Sequence, residues 1–179
     1  YGSPLDQVRQ PRGLYEPTII RFDGRYFLNM RNDITGYVAS SRDGLHFDNP
    51  RPWCFDNGEL LGNYNTMMQW VRHGDRELYL VYTRRNADND HVFRNRAPLF
   101  IARVDTDTLR VIRDTEQVVA PNRGARLGNF HTCQLDDNRA WVTVAEWMQN
   151  DNKGHGRVGS EYCASFGSDN SVYLADITW

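Results

Sequence analysis

The chain of 179 residues carries 40% hydrophobic and 25% charged side chains, which suits one domain with a real core and excludes a disordered segment. Its 21 basic and 23 acidic residues leave a net charge of -2, which excludes a broad nucleic-acid or membrane-surface patch. No apolar run approaches the roughly 18 residues that a membrane helix needs.

In chain order, the first unit reads as strands over residues 16–22 and 25–31 around an Asp23-Gly24 turn, then an extended segment over 36–40. Ser41-Arg42-Asp43-Gly44-Leu45-His46-Phe47 follows, an S-x-D-G-x-x-F turn. Here Ser and Asp bond nearby backbone, Gly permits the turn and Phe tucks in its ring. The second unit has strands over 66–73 and 76–84 around Gly74-Asp75, then 97–104 and 109–112. The third has strands over 129–136 and 139–147 around Asp137-Asn138, then 171–179. Such turn dipeptides between apolar, β-branched and aromatic runs signal hairpins. Two long polar loops, 85–96 and 150–167, interrupt the pattern.

A repeat of roughly 50 to 60 residues with up to four strands and no helical period predicts an all-β fold. Its parts are β-propeller blades of four-stranded antiparallel sheets, in units of about 16–56, 63–120 and 126–179. About three blades do not close a ring, so a missing N-terminal segment or a second copy is expected to complete the propeller. The three cysteines, Cys54, Cys133 and Cys163, have no metal-ligand spacing, so neither a zinc site nor a disulfide framework is expected, and no cofactor. Lys153 is the only lysine among the 21 basic residues, so the rest are arginines, which grip carboxylate, sulfate or phosphate in a planar fork.

Register arithmetic suggests a site. If Asp23-Gly24 is a two-residue turn, Phe22 faces Arg25 and Glu16 faces Arg31, with Cβ atoms roughly 5 Å apart. The same rule sets Tyr64 against Arg85, Asn65 against Arg84, and Asn129 against Glu146. These pairs sit at the hairpin ends remote from the turns, where three blades line one mouth of a central channel, the place propellers bind ligands. A satisfied surface ion pair is the competing reading for each. His131 and His91 lie beside these positions and suit general acid–base work near neutral pH. Trp53 and Tyr64 border loops where a ring can stack on a sugar, whereas Trp70, Trp141 and Trp147 read as blade packing.

Residues 16–47, EPTIIRFDGRYFLNMRNDITGYVASSRDGLHF, resemble the stretch of bacterial sialidases in which a catalytic Glu opens one strand, a substrate-binding Arg ends the next and an Asp-box follows. The resemblance implies the C-terminal half of a six-bladed propeller, with Glu16 as base or acid partner. Arg31 and Arg96 become carboxylate clamps, and Arg84, Arg85 and Arg94 compete for the second place. Glu146 matches the Glu that orients the family's first Arg. That Arg and the acid Asp fall upstream of Tyr1, so the chain alone is expected to be inactive. The segment Leu127-Gly128-Asn129-Phe130-His131-Thr132 matches the stretch bearing the nucleophilic Tyr, but Phe130 stands in its place, and Tyr64 is a displaced alternative.

The expected function is a sialidase-like exo-glycosidase on a sialic or uronic acid glycan, secreted or periplasmic, with carbohydrate as its partner. A polysaccharide lyase on uronates, a five-bladed furanosidase-like hydrolase and a non-catalytic glycan-binding module are the alternatives.

Overall fold

Alternation along the strands determines which side chains meet. The structure, a computed structural model, describes residues 13–63, 66–148 and 159–179. Among the described residues, thirteen strands form three antiparallel sheets. The first sheet has the order β1 (Tyr15–Phe22), β2 (Arg25–Arg31), β3 (Gly36–Ser41) and β4 (Arg51–Pro52). The second runs β5 (Gln69–His73), β6 (Glu77–Tyr82), β7 (Leu99–Asp105) and β8 (Arg110–Val111), with β9 (Gln117–Ala120) also paired to β7. In the third, β12 (Arg139–Trp147) pairs with β10 (Arg126–Leu127), β11 (His131–Asp136) and β13 (Val172–Thr178). These are propeller blades, as the repeat predicts; the second differs in having five strands.

The middle blade is buried on both faces, and its period of two sorts its residues into two seams. Leu78, Leu80 and Tyr82 of β6 join Phe27, Val38, Trp53, Met68 and Trp70 in the seam with the first blade. The intervening Val81 joins Leu99, Leu127, Phe130, Val142 and Val144 in the seam with the third. Trp53, expected at a sugar-facing loop, is fully buried in the first seam, its ring 5.8 Å from that of Trp70. Trp70 is buried as expected, whereas Trp147 is 43% exposed at the end of β12. Hydrophobic burial, not ligand contact, explains Trp53.

β1, β5 and β11 adjoin one another. The Thr18 hydroxyl donates to Met68 O at 3.0 Å, Trp70 Nε1 donates to Thr18 O at 3.2 Å, and the Thr132 hydroxyl donates to Trp70 O at 3.0 Å. Farther along, Gln134 Nε2 donates to Arg72 O at 2.8 Å, so β5 and β11 run in the same direction. The hairpin turns therefore gather at one end, where Arg72 lies 3.5 Å from Asp137, and the strand starts gather at the other.

The S-x-D-G-x-x-F turn forms by the local bonds its residues suggest. Ser41 Oγ accepts from the backbone of Gly44 at 2.9 Å, while Asp43 Oδ1 accepts from Leu45 and His46 at 2.9 and 2.8 Å. Gly44 has φ of +76°, and Phe47 packs against Met30, Tyr37 and Ala39. The loop expected over 150–167 contains a short helix, α1 (Ser160–Ala164), whose Cys163 is buried with Ala125 and Met148. An apolar anchor of one turn suffices for this, too short a signal for periodicity to find.

Glu77, at the turn end of β6, accepts hydrogen bonds from Tyr79 at 2.7 Å and Arg103 at 2.8 Å, which hold its carboxyl down at about 2. A carboxyl lowered on folding adds stability above its ordinary value of 4.5 and loses it as the pH falls toward 2. The stability gap between the protein and Glu77→Gln is therefore expected to close between those two pH values. Urea midpoints at neutral, intermediate and acidic pH measure it; a gap independent of pH would contradict the assignment.

Candidate functional site

At the strand-start end, the first hairpin does not keep the register its turn sets. Phe22 faces Arg25 and Thr18 faces Asn29 as expected, but a bulge then makes Tyr15, not Glu16, the partner of Arg31. Pro17 has no N–H to give to the ladder, and Glu16 takes φ of +52°. The acid and the guanidinium meet all the same, with Arg31 Nε 2.7 Å from Glu16 Oε2. Arg31 is only 6% exposed. Its Nη1 donates to the Tyr15 hydroxyl at 2.7 Å, and that hydroxyl donates to Asp33 Oδ1 at 2.5 Å.

Arg96 arrives from the second blade. Asn89, buried in the 85–96 loop, donates from Nδ2 to the carbonyls of Arg84 at 2.8 Å and Ala97 at 2.7 Å, which closes the loop and sets Arg96 before β7. Arg96 Nη2 donates to Thr66 Oγ1 at 3.1 Å and to Asn129 Oδ1 at 2.7 Å. Its Nε is buried without a hydrogen-bond partner. Burial above all, then repulsion from Arg126 and Arg31, pushes its pKa down to about 10, with Glu16 opposing.

Arg126, which sequence reasoning overlooked, supplies the third group. It opens β10, is 8% exposed and lies between two rings, 3.6 Å from the Trp147 centroid and 4.7 Å from that of Phe93. The backbone of its neighbour Leu127 donates to Arg96 O at 2.8 Å. The available signal was Arg126 immediately before the Leu127-Gly128-Asn129 stretch already under suspicion.

Other expected residues have different placements. The second hairpin turns through three residues, with His73 opposite Glu77, and Arg84 and Arg85 both lie beyond β6. Arg84 makes a two-pronged ion pair with Glu116, at 2.9 and 2.6 Å, and is structural. Arg85 is exposed, and its backbone donates to Gly62 O at 3.0 Å. Tyr64 and Asn65 lie outside the described residues.

In the third hairpin, a bulge between Gln134 and Asp136 and a second one-residue shift between Leu127 and His131 set Leu127, not Asn129, opposite Glu146. Glu146 is buried and accepts from the backbone of Asp169 and Ser171 at 3.0 and 3.2 Å and from the Tyr173 hydroxyl at 3.0 Å, with Arg123 3.7 Å away. It fastens the 165–171 loop to the blade. Phe130 is fully buried in the second seam, while His131 is exposed at the start of β11. His91 stacks on Phe166, ring centroids 4.6 Å apart. Among the described residues, no group of three His, Cys, Asp or Glu side chains is arranged to hold a metal.

No family model and no curated protein matches the chain. Its fold is similar to that of a protein of unknown function from Dyadobacter fermentans DSM 18053, with a TM-score of 0.56 at 18% identity over 93% of this chain and 38% of that one. It is also similar to a thermostable family-43 glycoside hydrolase, with a TM-score of 0.53 at 13% identity over 75% of this chain and 42% of the other. An endo-1,4-beta-xylanase from Bacteroides thetaiotaomicron gives 0.50 at 11% identity, over 75% and 45%. The chain spans less than half the length of each. At these identities the likeness establishes the fold.

Proposed function

We propose that the protein is a carbohydrate-active propeller module that takes an anionic sugar at the strand-start end, as part of a sialidase-like exo-glycosidase. One observation carries the reading: Arg31 and Arg96 are both more than nine-tenths buried, come from different blades and keep donors unspent. Arg126 adds a third buried charge, and Glu16 is the carboxylate whose attraction opposes their mutual repulsion at Arg96. Burying like charges together is costly unless an anion joins them. A sugar carboxylate satisfies that need with charge-assisted hydrogen bonds. Glu16, bonded to Arg31 as an acceptor, is suited to take a proton near the sugar rather than to give one.

The fold likeness to a family-43 glycoside hydrolase supports a second reading, a furanosidase-like hydrolase acting on a neutral sugar. That chemistry calls for two carboxylates flanking the scissile bond. Among the described residues at this end, Glu16, Asp33 and Glu146 carry carboxylates, and each is already hydrogen-bonded, Glu16 to Arg31, Asp33 to Tyr15, and Glu146 to Tyr173 and the backbone of Asp169 and Ser171. Calorimetric titration of glucuronate and N-acetylneuraminate against arabinose and xylose decides between them. The acids are expected to bind at least about tenfold tighter, with the margin shrinking in roughly 0.5 M salt. Equal or stronger binding of the neutral sugars would reverse the choice.

A further inference from the structure

In an unbroken strand, consecutive side chains leave opposite faces of the sheet. The bulge at Glu16 suspends that rule, and Tyr15 and Glu16 both reach one guanidinium. Glu16 takes Nε of Arg31 and Tyr15 takes Nη1, each at 2.7 Å. The Tyr15 ring also lies against the guanidinium, with its centroid 4.4 Å from the central carbon. Because the Tyr15 hydroxyl gives its own proton to Asp33 Oδ1 at 2.5 Å, it presents a lone pair to Arg31. Two of the three nitrogens are thus committed, and Nη2 has no partner among the described residues.

We propose that Tyr15 and Asp33 are positioning residues of the anion site, which set Arg31 so that it offers a single nitrogen to the ligand. The proposal rests on the anionic-sugar reading and refines it. Arg96 is restricted in a similar way, since its Nη2 is taken by Thr66 and Asn129, and its remaining Nε and Nη1 lie on different edges of the group. Neither arginine presents a free two-pronged fork of the kind that grips one carboxylate alone. A ligand carboxylate is therefore expected to take a single bond from Arg31 Nη2 rather than a side-on pair.

The test titrates N-acetylneuraminate and its uncharged methyl ester into the protein and into Tyr15→Phe and Asp33→Asn. Phe keeps the ring against Arg31 and removes only the hydroxyl, so affinity for the acid is expected to fall about tenfold while affinity for the ester holds. The amide introduced by Asp33→Asn can donate to the phenol oxygen and compete for the lone pair that Arg31 uses. That variant is expected to lose at least about threefold in affinity for the acid while the ester holds, and unchanged affinity would remove Asp33 from the positioning role. If Tyr15→Phe binds the acid as the parent does, or loses acid and ester equally, the positioning role is wrong and the anion site stands. If the parent itself shows no preference for the acid over the ester, both ideas fall.

Discussion

Arg31→Ala is expected to lower affinity for an acidic sugar roughly 100-fold, the largest effect of any single change at the site. The substitution removes the unspent Nη2 and also strands Glu16 and Tyr15, whose bonds to Arg31 are each 2.7 Å long. Removing one partner of a buried, hydrogen-bonded charge pair typically costs about 2–5 kcal/mol in binding. Lysine separates charge from geometry. It restores one positive charge but has no planar group to span Glu16, Tyr15 and a ligand, so Arg31→Lys is expected to recover less than about tenfold. Titration of N-acetylneuraminate into both variants, with their urea midpoints as a check on folding, measures this. Retention of affinity in a folded Arg31→Ala protein would remove Arg31 from the site.

The largest effect on stability is expected at the first seam. Trp53 is fully buried among Phe55, Leu61, Met68 and Trp70, and its backbone ties the blade edge together, donating to Gly36 O and accepting from Leu61, each at 3.0 Å. Trp53→Ala opens a cavity that the rigid sheets on either side cannot fill, with an expected loss of about 3–5 kcal/mol. The indole Nε1 is buried without a hydrogen-bond partner, so part of the native side chain is a burden. Trp53→Phe sheds that burden with a modest loss of volume, and it is expected to cost less than about 1.5 kcal/mol. Denaturant unfolding of both variants distinguishes packing from polarity: equal losses would show that Nε1 carries no penalty.

Hairpins and blades were legible because they depend on local chemistry. Asp23-Gly24 fixes a two-residue turn through two positive φ values, +46° and +68°, and the register follows correctly from Phe22 to Thr18. It fails beyond that point, where a strand residue without an N–H forces a bulge; Pro17 was the readable warning. At Gly74 the turn takes a third residue, which slips the register of β5 against β6 by one position from the one expected. Arg96 was readable from its place before a strand. Arg126 was hidden in a two-residue strand, whose partner Trp147 is distant in sequence. Trp53 misled because loop sequence surrounds it, while its burial comes from a neighbouring blade.

The stacking of Arg126 on Trp147 makes the partly exposed indole an optical reporter. Indole emission responds to the electric field of a nearby cation, and an anion arriving beside Arg126 alters that field. Trp53 and Trp70, sealed in the seam between the first two blades, contribute a steady background. Occupancy of the arginine cluster can thus be followed by intrinsic fluorescence without attaching a dye.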